Sequence, residues 1–153
     1  LITWLPEGPF AQIHKDKNLI SLYLDRGARN RIEDFPLISE AMEQMPESIV
    51  LDGVFSCSRN GQPLRLFDPS ENFSECEYKF YCTDVPYING IDRTALPMME
   101  RSEIVEELIS DNDNIIVNAY DNKPSDDCRE IAWSCHSPRK MRSTDKTYCW
   151  AVQ

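Results

Sequence analysis

The segment from Glu47 to Phe55 constrains the fold of this chain more than any other. It is apolar and rich in β-branched residues, and Leu51-Asp52-Gly53 lies at its centre. Because such a run is typical of a buried strand, we predict a central strand over 48–57. Arg59-Asn60-Gly61 follows, and its Asn and Gly tolerate positive φ, so we predict a hairpin to a second strand over 63–67.

The rest of the chain predicts further strands and two helices. A hairpin of strands 10–14 and 19–24 opens the domain, and apolar residues at helical spacing predict helices over 34–45 and 98–109. In the first helix, Asp34 is the expected N-cap. Other strands are expected at 1–5, 78–85, 114–120, 129–135 and 146–152, with a second turn at Asn89-Gly90 and loops at 68–77 and 121–127. The pattern predicts one α+β domain over residues 1–153, with antiparallel sheets flanked by at least two helices.

Composition narrows the function classes. The chain has 26 acidic and 16 basic residues, a formal net charge of -10 and 41% hydrophobic residues. A phosphate backbone is therefore repelled on average, and nucleic-acid binding would need a local basic patch. The apolar runs are far shorter than the roughly 20 residues of a membrane span. The first residues lack the basic start and cleavage site of a signal peptide, so we expect an intracellular protein, nuclear or cytoplasmic.

The six cysteines leave two interpretations open. Their even number is compatible with a secreted disulfide framework, whereas three of them lie in or beside strand-like runs, as buried reduced thiols do. No CxxC pair exists, and His14 and His136 are far apart, so no zinc site is predicted. We favour a reducing compartment. The cysteines are Cys57, Cys76, Cys82, Cys128, Cys135 and Cys149.

Several motifs in order resemble the adenylation (nucleotidyltransferase) domain of ATP-dependent DNA ligases. In that family a lysine, any residue, an acid and a glycine precede a strand that often ends in Gln-Ile-His-Lys, and residues 5–15 fit this frame. Leu51-Asp52-Gly53, the segment 80–90 and the helix start Leu96 to Arg101 match later motifs of the family. The resemblance covers about residues 4–120 and implies the ligase adenylation-domain fold.

The family's chemistry is missing from the matching positions. Leu5 stands where the family has the lysine whose amine attacks the α-phosphate of ATP, and an isobutyl group cannot act as a nucleophile. No lysine stands three residues before any of the five glycines. Other family positions have also changed: Val54 replaces a metal-binding glutamate, Thr83 the aromatic that stacks on adenine, Asn118 a lysine, and Phe10 an arginine. The resemblance therefore implies a pseudoenzyme with no catalytic residue, metal or cofactor.

Two groups of charged residues have competing interpretations. Asp52 and Asp84 are either a remaining metal pair or, more commonly, carboxylates at strand ends. Two basic segments are either solvated loops or contacts for nucleic-acid phosphates. These candidate nucleic-acid-binding residues are Arg26, Arg29, Arg31, Arg139, Lys140, Arg142 and Lys146.

Three functional hypotheses follow. The leading one is an inactive ligase-like domain that serves as a protein-interaction or scaffold module in DNA replication or repair, with a protein partner of unknown identity. The second is a nucleic-acid-binding domain that uses the basic segments, although DNA binding is expected to be weak for so acidic a chain. The third is a divergent active nucleotidyltransferase with a different lysine, such as Lys15 or Lys123, as its nucleophile.

Overall fold

The computed structural model of the chain describes most of the first 118 residues and a short C-terminal strand. The described ranges are 2–6, 8–25, 29–66, 71–109, 112–118 and 147–151. The strands are β1 (Ile2–Pro6), β2 (Phe10–Asp16), β3 (Leu19–Leu24), β4 (Ser48–Arg59), β5 (Gln62–Pro63), β6 (Glu77–Ile88), β7 (Ile91–Asp92), β8 (Ile115–Val117) and β9 (Thr147–Ala151). The helices are a 3₁₀ turn (Ile32–Asp34), α1 (Pro36–Glu43) and α2 (Met98–Leu108). None of the described helices is long and apolar enough to cross a membrane.

A seven-stranded sheet forms the centre of the fold. Its main path runs β3-β2-β4-β6-β7, while β5 pairs with β4 and β8 pairs with β6. The strand β1 pairs with β9 in a separate two-stranded sheet. The predicted α+β class, with sheets flanked by two helices, is thus confirmed.

One pairing departs from the predicted antiparallel sheets. The strand β8 lies parallel to β6, with Tyr81 opposite Ile116. The helix α2 lies between the two strands in the chain, and such a crossover returns the chain in the same direction, which a tight turn cannot do. The two predicted turns, by contrast, are present: Asn60-Gly61 joins β4 to β5 and Asn89-Gly90 joins β6 to β7, all four residues with positive φ. The strand after the first turn differs from the predicted 63–67, because β5 comprises only Gln62–Pro63.

The first helix begins later than predicted. Asp34 does not cap it, because its carboxylate accepts a hydrogen bond from Arg31 Nε at 2.5 Å within the preceding 3₁₀ turn. Phe35 has φ -136° and ψ 68°, which lies outside the helical region. The proline that follows disfavours helical backbone angles at Phe35. Pro36 then occupies the first turn of α1, where its missing N–H costs nothing. The predicted strand 129–135 lies outside the described residues.

The core lies between β4 and α1. Ile49, Leu51 and Phe55 alternate along β4 and are fully buried, as are Ile38 and Met42 of α1. Phe35, just before α1, is the centre of an aromatic cluster. Its ring centroid lies 4.5 Å from that of Phe55, 5.0 Å from that of Tyr78 and 5.4 Å from that of Phe73. The predicted central strand is confirmed as the strand on which this core is built.

Gly53 permits the close approach of β4 and β6. A Cβ atom on this residue would lie 2.1 Å from the carbonyl oxygen of Tyr81 and 2.8 Å from the Phe80 ring. Because the Tyr81 oxygen belongs to the backbone, neither strand can yield without losing its pairing.

We therefore expect Gly53→Ala to lower the free energy of unfolding by about 2–4 kcal/mol, since the added methyl group has no space. Chemical denaturation followed by circular dichroism measures the change. The matched control is Gly61→Asn, at a turn where no atom lies within 4 Å of the added Cβ and where Asn tolerates the φ of 72°. A loss for Gly53→Ala no larger than that of this control would contradict the steric explanation.

Candidate functional site

A cleft of about 340 Å³ opens where β2, β4 and β6 lie side by side and α2 begins. We call it the central cleft. Asp52 projects into it from β4, on the opposite face from the buried Leu51, because side chains alternate along a strand. Its lining residues are Phe10, Ala11, Gln12, Asp25, Asp52, Gly53, Thr83, Asp84 and Met98.

Irregular pairing of β4 with β6 shapes the cleft. The register shifts on both sides of Asp52, which pairs with Asp84, so that β6 carries extra residues at this point. Thr83 is one of these, and its hydroxyl donates to the Asp52 carbonyl oxygen at 3.2 Å. Bulges redirect side chains and are common beside active sites. Here they place two carboxylates in one cleft.

Asp84 is held by an arginine from α2. Arg101 Nε donates to Asp84 Oδ1 at 2.7 Å, and Arg101 Nη2 donates to Oδ2 at 2.9 Å. Such a two-pronged pair fixes both groups and neutralises the carboxylate. Asp84 Oδ1 also accepts the backbone N–H of Val85 at 2.8 Å. These contacts favour the structural interpretation of Asp84 over a metal ligand. In the described part of the chain, no group of three or more His, Cys, Asp or Glu side chains is arranged to hold a metal ion.

Asp52 has a weaker set of partners. The Oδ1 atom of Asp52 accepts a hydrogen bond from Gln12 Nε2 at 2.7 Å. The side-chain oxygen of Gln12, Oε1, lies 3.2 Å from His14 Nε2. Burial raises the pKa of Asp52 above its usual value, and the neighbouring charge of Asp84 also raises it, whereas the Gln12 hydrogen bond lowers it. Ionised Asp52 is therefore less favourable in the folded protein than in the unfolded chain.

Three of the positions at which this chain differs from the ligase pattern lie in or near this cleft. Thr83 lines it, and Phe10 lines it with 53% of its surface exposed. Val54 is buried on β4, opposite Phe10 and Tyr81 on the neighbouring strands.

Two further positions of the ligase pattern are fixed by backbone contacts. Asn118 directly follows β8, and its backbone N–H donates to the Cys82 carbonyl oxygen at 2.8 Å. Leu5 belongs to β1, where its backbone pairs with Tyr148 of β9.

Lys15 has a structural role that the sequence did not reveal. Its side chain is buried, and its ammonium donates to three carbonyl oxygens at the end of α1: Met42 at 2.8 Å, Glu43 at 3.1 Å and Met45 at 2.7 Å. All three N–H donors of a lysine are then used. A positive charge here interacts favourably with the last carbonyls of α1 and with the negative end of the helix dipole. The proposed role of Lys15 as a nucleophile is thus not supported, while Lys123 lies outside the described residues.

Of the candidate nucleic-acid-binding residues, only Arg29 and Arg31 lie among the described residues. Besides its bond to Asp34, Arg31 donates from Nη1 to the Leu66 carbonyl oxygen at 2.8 Å, and its guanidinium lies 5.2 Å from the centroid of the Phe73 ring. Arg31 therefore binds within the domain, whereas Arg29 is exposed. The other candidates lie outside the described residues, and their role stays a prediction: Arg26, Arg139, Lys140, Arg142 and Lys146.

Comparisons with known proteins agree on one fold. No family model matches the chain. Its sequence is 28% identical over 120 residues to a DNA ligase of Methanococcus aeolicus, covering 71% of this chain and 21% of that protein. It is 27% identical over 149 residues to a DNA ligase of Sulfolobus acidocaldarius, covering 89% of this chain and 24% of that protein.

Two solved structures that resemble this chain are also ligases. Mycobacterial DNA ligase D complexed with ATP and MES, and the ligase domain of M. tuberculosis LigD, each match with a TM-score of 0.58. Each is 16% identical in sequence, and the match covers 76% of this chain and 39% of that one.

The shared architecture defines the chain as a nucleotidyltransferase-type fold. Together with the sequence similarity, it supports the resemblance of this chain to the nucleotidyltransferase domain of ATP-dependent DNA ligases. The chain spans only 21% and 24% of the length of the two archaeal ligases.

We expect Lys15→Met to lower the free energy of unfolding by about 2–3 kcal/mol, because three carbonyl oxygens at the end of α1 lose their hydrogen bonds from the ammonium, and only that of Met42 is shown to keep a backbone donor. Thermal and urea denaturation measure the change. Lys79→Met, at an exposed position of β6, is the matched control and should be nearly neutral. Equal stability of the two variants would show that the three hydrogen bonds of Lys15 contribute nothing net.

Asp52→Asn is expected to raise the stability at neutral pH. Because the folded-state pKa of Asp52 is raised, its ionisation weakens folding as the pH rises from the usual aspartate value through the raised value. Asparagine keeps the acceptor for Gln12 and removes the charge, so the gain should be present at pH 7 and vanish in acid.

Asp92→Asn is the control, and we expect it to change the stability at neutral pH in the opposite direction. Hydrogen bonds from the hydroxyl and the backbone N–H of Thr94 lower the pKa of Asp92, so its charge favours folding at neutral pH. Urea denaturation from pH 3 to pH 7 separates the two variants. A loss of stability for Asp52→Asn at pH 7 would contradict the raised pKa of Asp52 in the folded protein.

Proposed function

We propose that this chain is a catalytically inactive ligase-like domain that serves as a protein-interaction or scaffold module in DNA replication or repair. The observation that carries the proposal is the charge of the central cleft. Among the described residues, the lining of this cleft includes Asp25, Asp52 and Asp84 and contains no lysine or arginine.

This charge is the reverse of what adenylation requires. A nucleotidyltransferase must hold a triphosphate and stabilise the charge that develops on it, and proteins do this with lysines, arginines and metal ions. The carboxylates of Asp25 and Asp52 would repel the phosphates, whereas that of Asp84 is neutralised by Arg101. The guanidinium of Arg101 is already bonded to Asp84 through two nitrogen atoms. A nucleotide would have to compete with this pair for the cation.

The state of the two positions considered for the nucleophile, Leu5 and Lys15, supports the same proposal. The family's lysine position holds Leu5, and Lys15 donates all its protons to the end of α1. A lysine in that state cannot attack a phosphorus atom without first giving up three hydrogen bonds and its proton. The position of the family's metal-binding glutamate is occupied by Val54, which is buried.

A protein partner fits the remaining surface better than DNA does. The chain has a net charge of -10, and the outer face of α2 presents exposed glutamates. Long-range repulsion of phosphates opposes DNA binding, whereas a basic protein surface would be attracted. The DNA setting comes from the relatives, which are DNA ligases, and the same setting implies a nuclear or cytoplasmic location. The glutamates are Glu100, Glu103, Glu106 and Glu107.

Incubation with α-labelled ATP and magnesium, followed by denaturing electrophoresis, tests the proposal. We expect no label on the chain and no heat of ATP binding in calorimetry, because the described lining of the cleft is acidic and neither Leu5 nor Lys15 can act as the nucleophile. The DNA ligase of Methanococcus aeolicus, treated in parallel, is the positive control and should retain the label.

Label that remains covalently on this chain would show an active nucleotidyltransferase. Binding heat without label would show a nucleotide-binding module, and either result would end the proposal of an inactive scaffold. DNA affinity that falls steeply as salt rises would favour the nucleic-acid-binding alternative.

A further inference from the structure

Two cysteines outside the central cleft lie in direct contact. The Sγ atoms of Cys57 and Cys76 are 3.4 Å apart, although the residues are separated by 19 positions in the chain. Cys57 lies near the end of β4 and is 5% exposed, and Cys76 immediately precedes β6 and is half-buried. Both are free thiols in the structure.

The fold positions both sulfur atoms. Cys57 pairs with Tyr78 across β4 and β6, and Cys76 stands two residues before Tyr78, a spacing that returns to the same face along an extended chain. Cys76 Sγ also lies 2.8 Å from the Phe73 carbonyl oxygen. The contact is therefore part of the packing at this edge of the sheet.

An arginine holds the segment 71–76 in place. Arg59, at the end of β4, donates from Nη1 to Glu71 Oε1 at 3.5 Å. Its Nη2 donates to the Ser74 carbonyl oxygen at 3.3 Å and to that of Asn72. Because β4 carries both Arg59 and Cys57, these contacts keep Cys76 beside Cys57.

We propose that Cys57 and Cys76 are a redox modification site, at which thiol–disulfide exchange with a small-molecule disulfide such as oxidised glutathione closes a reversible disulfide. This inference does not depend on the proposed scaffold function. It assigns a reaction to a dithiol that a ligase-like cleft does not use. In a reducing compartment, protein disulfides are usually transient, which fits a site that opens again.

The exchange proceeds in two steps. Cys76 is the more exposed sulfur, so its thiolate attacks the small-molecule disulfide, whose S–S bond breaks and releases one thiol that takes up the Cys76 proton. Cys57 Sγ then attacks Cys76 Sγ, releases the second thiol and gives up its own proton to it. The two protein thiols lose two electrons, and the small-molecule disulfide gains them as it becomes two thiols.

The order of attack follows from the surroundings of the two thiols. Burial raises the pKa of the Cys57 thiol, so this residue rarely forms a thiolate by itself. Its advantage is position, because a sulfur in contact with the mixed disulfide needs no diffusion to react. Cys57 is thus the resolving residue and Cys76 the attacking one.

The test uses the full chain, incubated with oxidised glutathione, blocked with a maleimide, digested and analysed by mass spectrometry. We expect a cross-linked peptide that joins Cys57 to Cys76 and disappears after treatment with dithiothreitol. Since the bond closes a loop in the unfolded chain, the unfolding midpoint of the oxidised protein should rise by roughly 5–10 °C.

Variants separate the two roles. Cys57→Ser should stop at the mixed disulfide and carry one glutathione on Cys76, whereas Cys76→Ser should lose the cross-link and carry no glutathione on Cys57. A variant with Cys128, Cys135 and Cys149 all changed to Ser should still form the cross-link.

Three results would overturn the proposal. They are thiols that stay reduced in oxidised glutathione, a mixed disulfide on Cys76 that persists in the unmodified sequence, and pairing of either residue with another cysteine while the chain is folded.

Discussion

The close approach of β4 and β6 at Gly53 is the constraint on which the rest of this structure depends. A side chain there would meet the Tyr81 carbonyl oxygen, so only glycine allows the two longest strands to pair across this point. The same contact lets the Phe80 ring cover the backbone of β4 in the core. Because the register shifts immediately beside it, Asp52 and Asp84 point into one cleft. Packing in the core and the shape of the cleft thus have a common origin in Leu51-Asp52-Gly53.

Two charged side chains, those of Arg101 and Lys15, are held by structural contacts. Arg101 neutralises Asp84 and at the same time ties the start of α2 to β6, with a further bond to the Leu96 carbonyl oxygen at 2.5 Å. Lys15 similarly ties β2 to the end of α1. An enzyme needs polar groups that are available to its substrate, and these groups are held by the protein itself. Packing and catalysis can depend on different residues of one fold, so a shared fold does not by itself establish an activity.

Local signals in the sequence predicted much of the fold. The central strand, both Asn-Gly turns and the two helices follow from apolar spacing and from backbone preferences that act within a few residues. The helix start was misplaced because Asp34 has a choice of partners: it binds Arg31 instead of capping, and that preference depends on how the preceding turn folds. The parallel pairing of β8 depends on where α2 returns the chain, which no short motif encodes.

The site was less predictable because its contacts join distant residues. The ligase resemblance drew attention to Asp52, Thr83 and Asp84, and the structure does bring them into one cleft. It could not show that Lys15 reaches residues 27 to 30 positions away, or that Cys57 touches Cys76. One signal for Lys15 was present, since α1 has no basic residue in its last turn and its carbonyls needed a cation from elsewhere. Asp52 is then the exception among the charged groups of this region. Its partners do not offset its burial, so the ionised form of Asp52 is less favourable in the folded protein than in the unfolded chain.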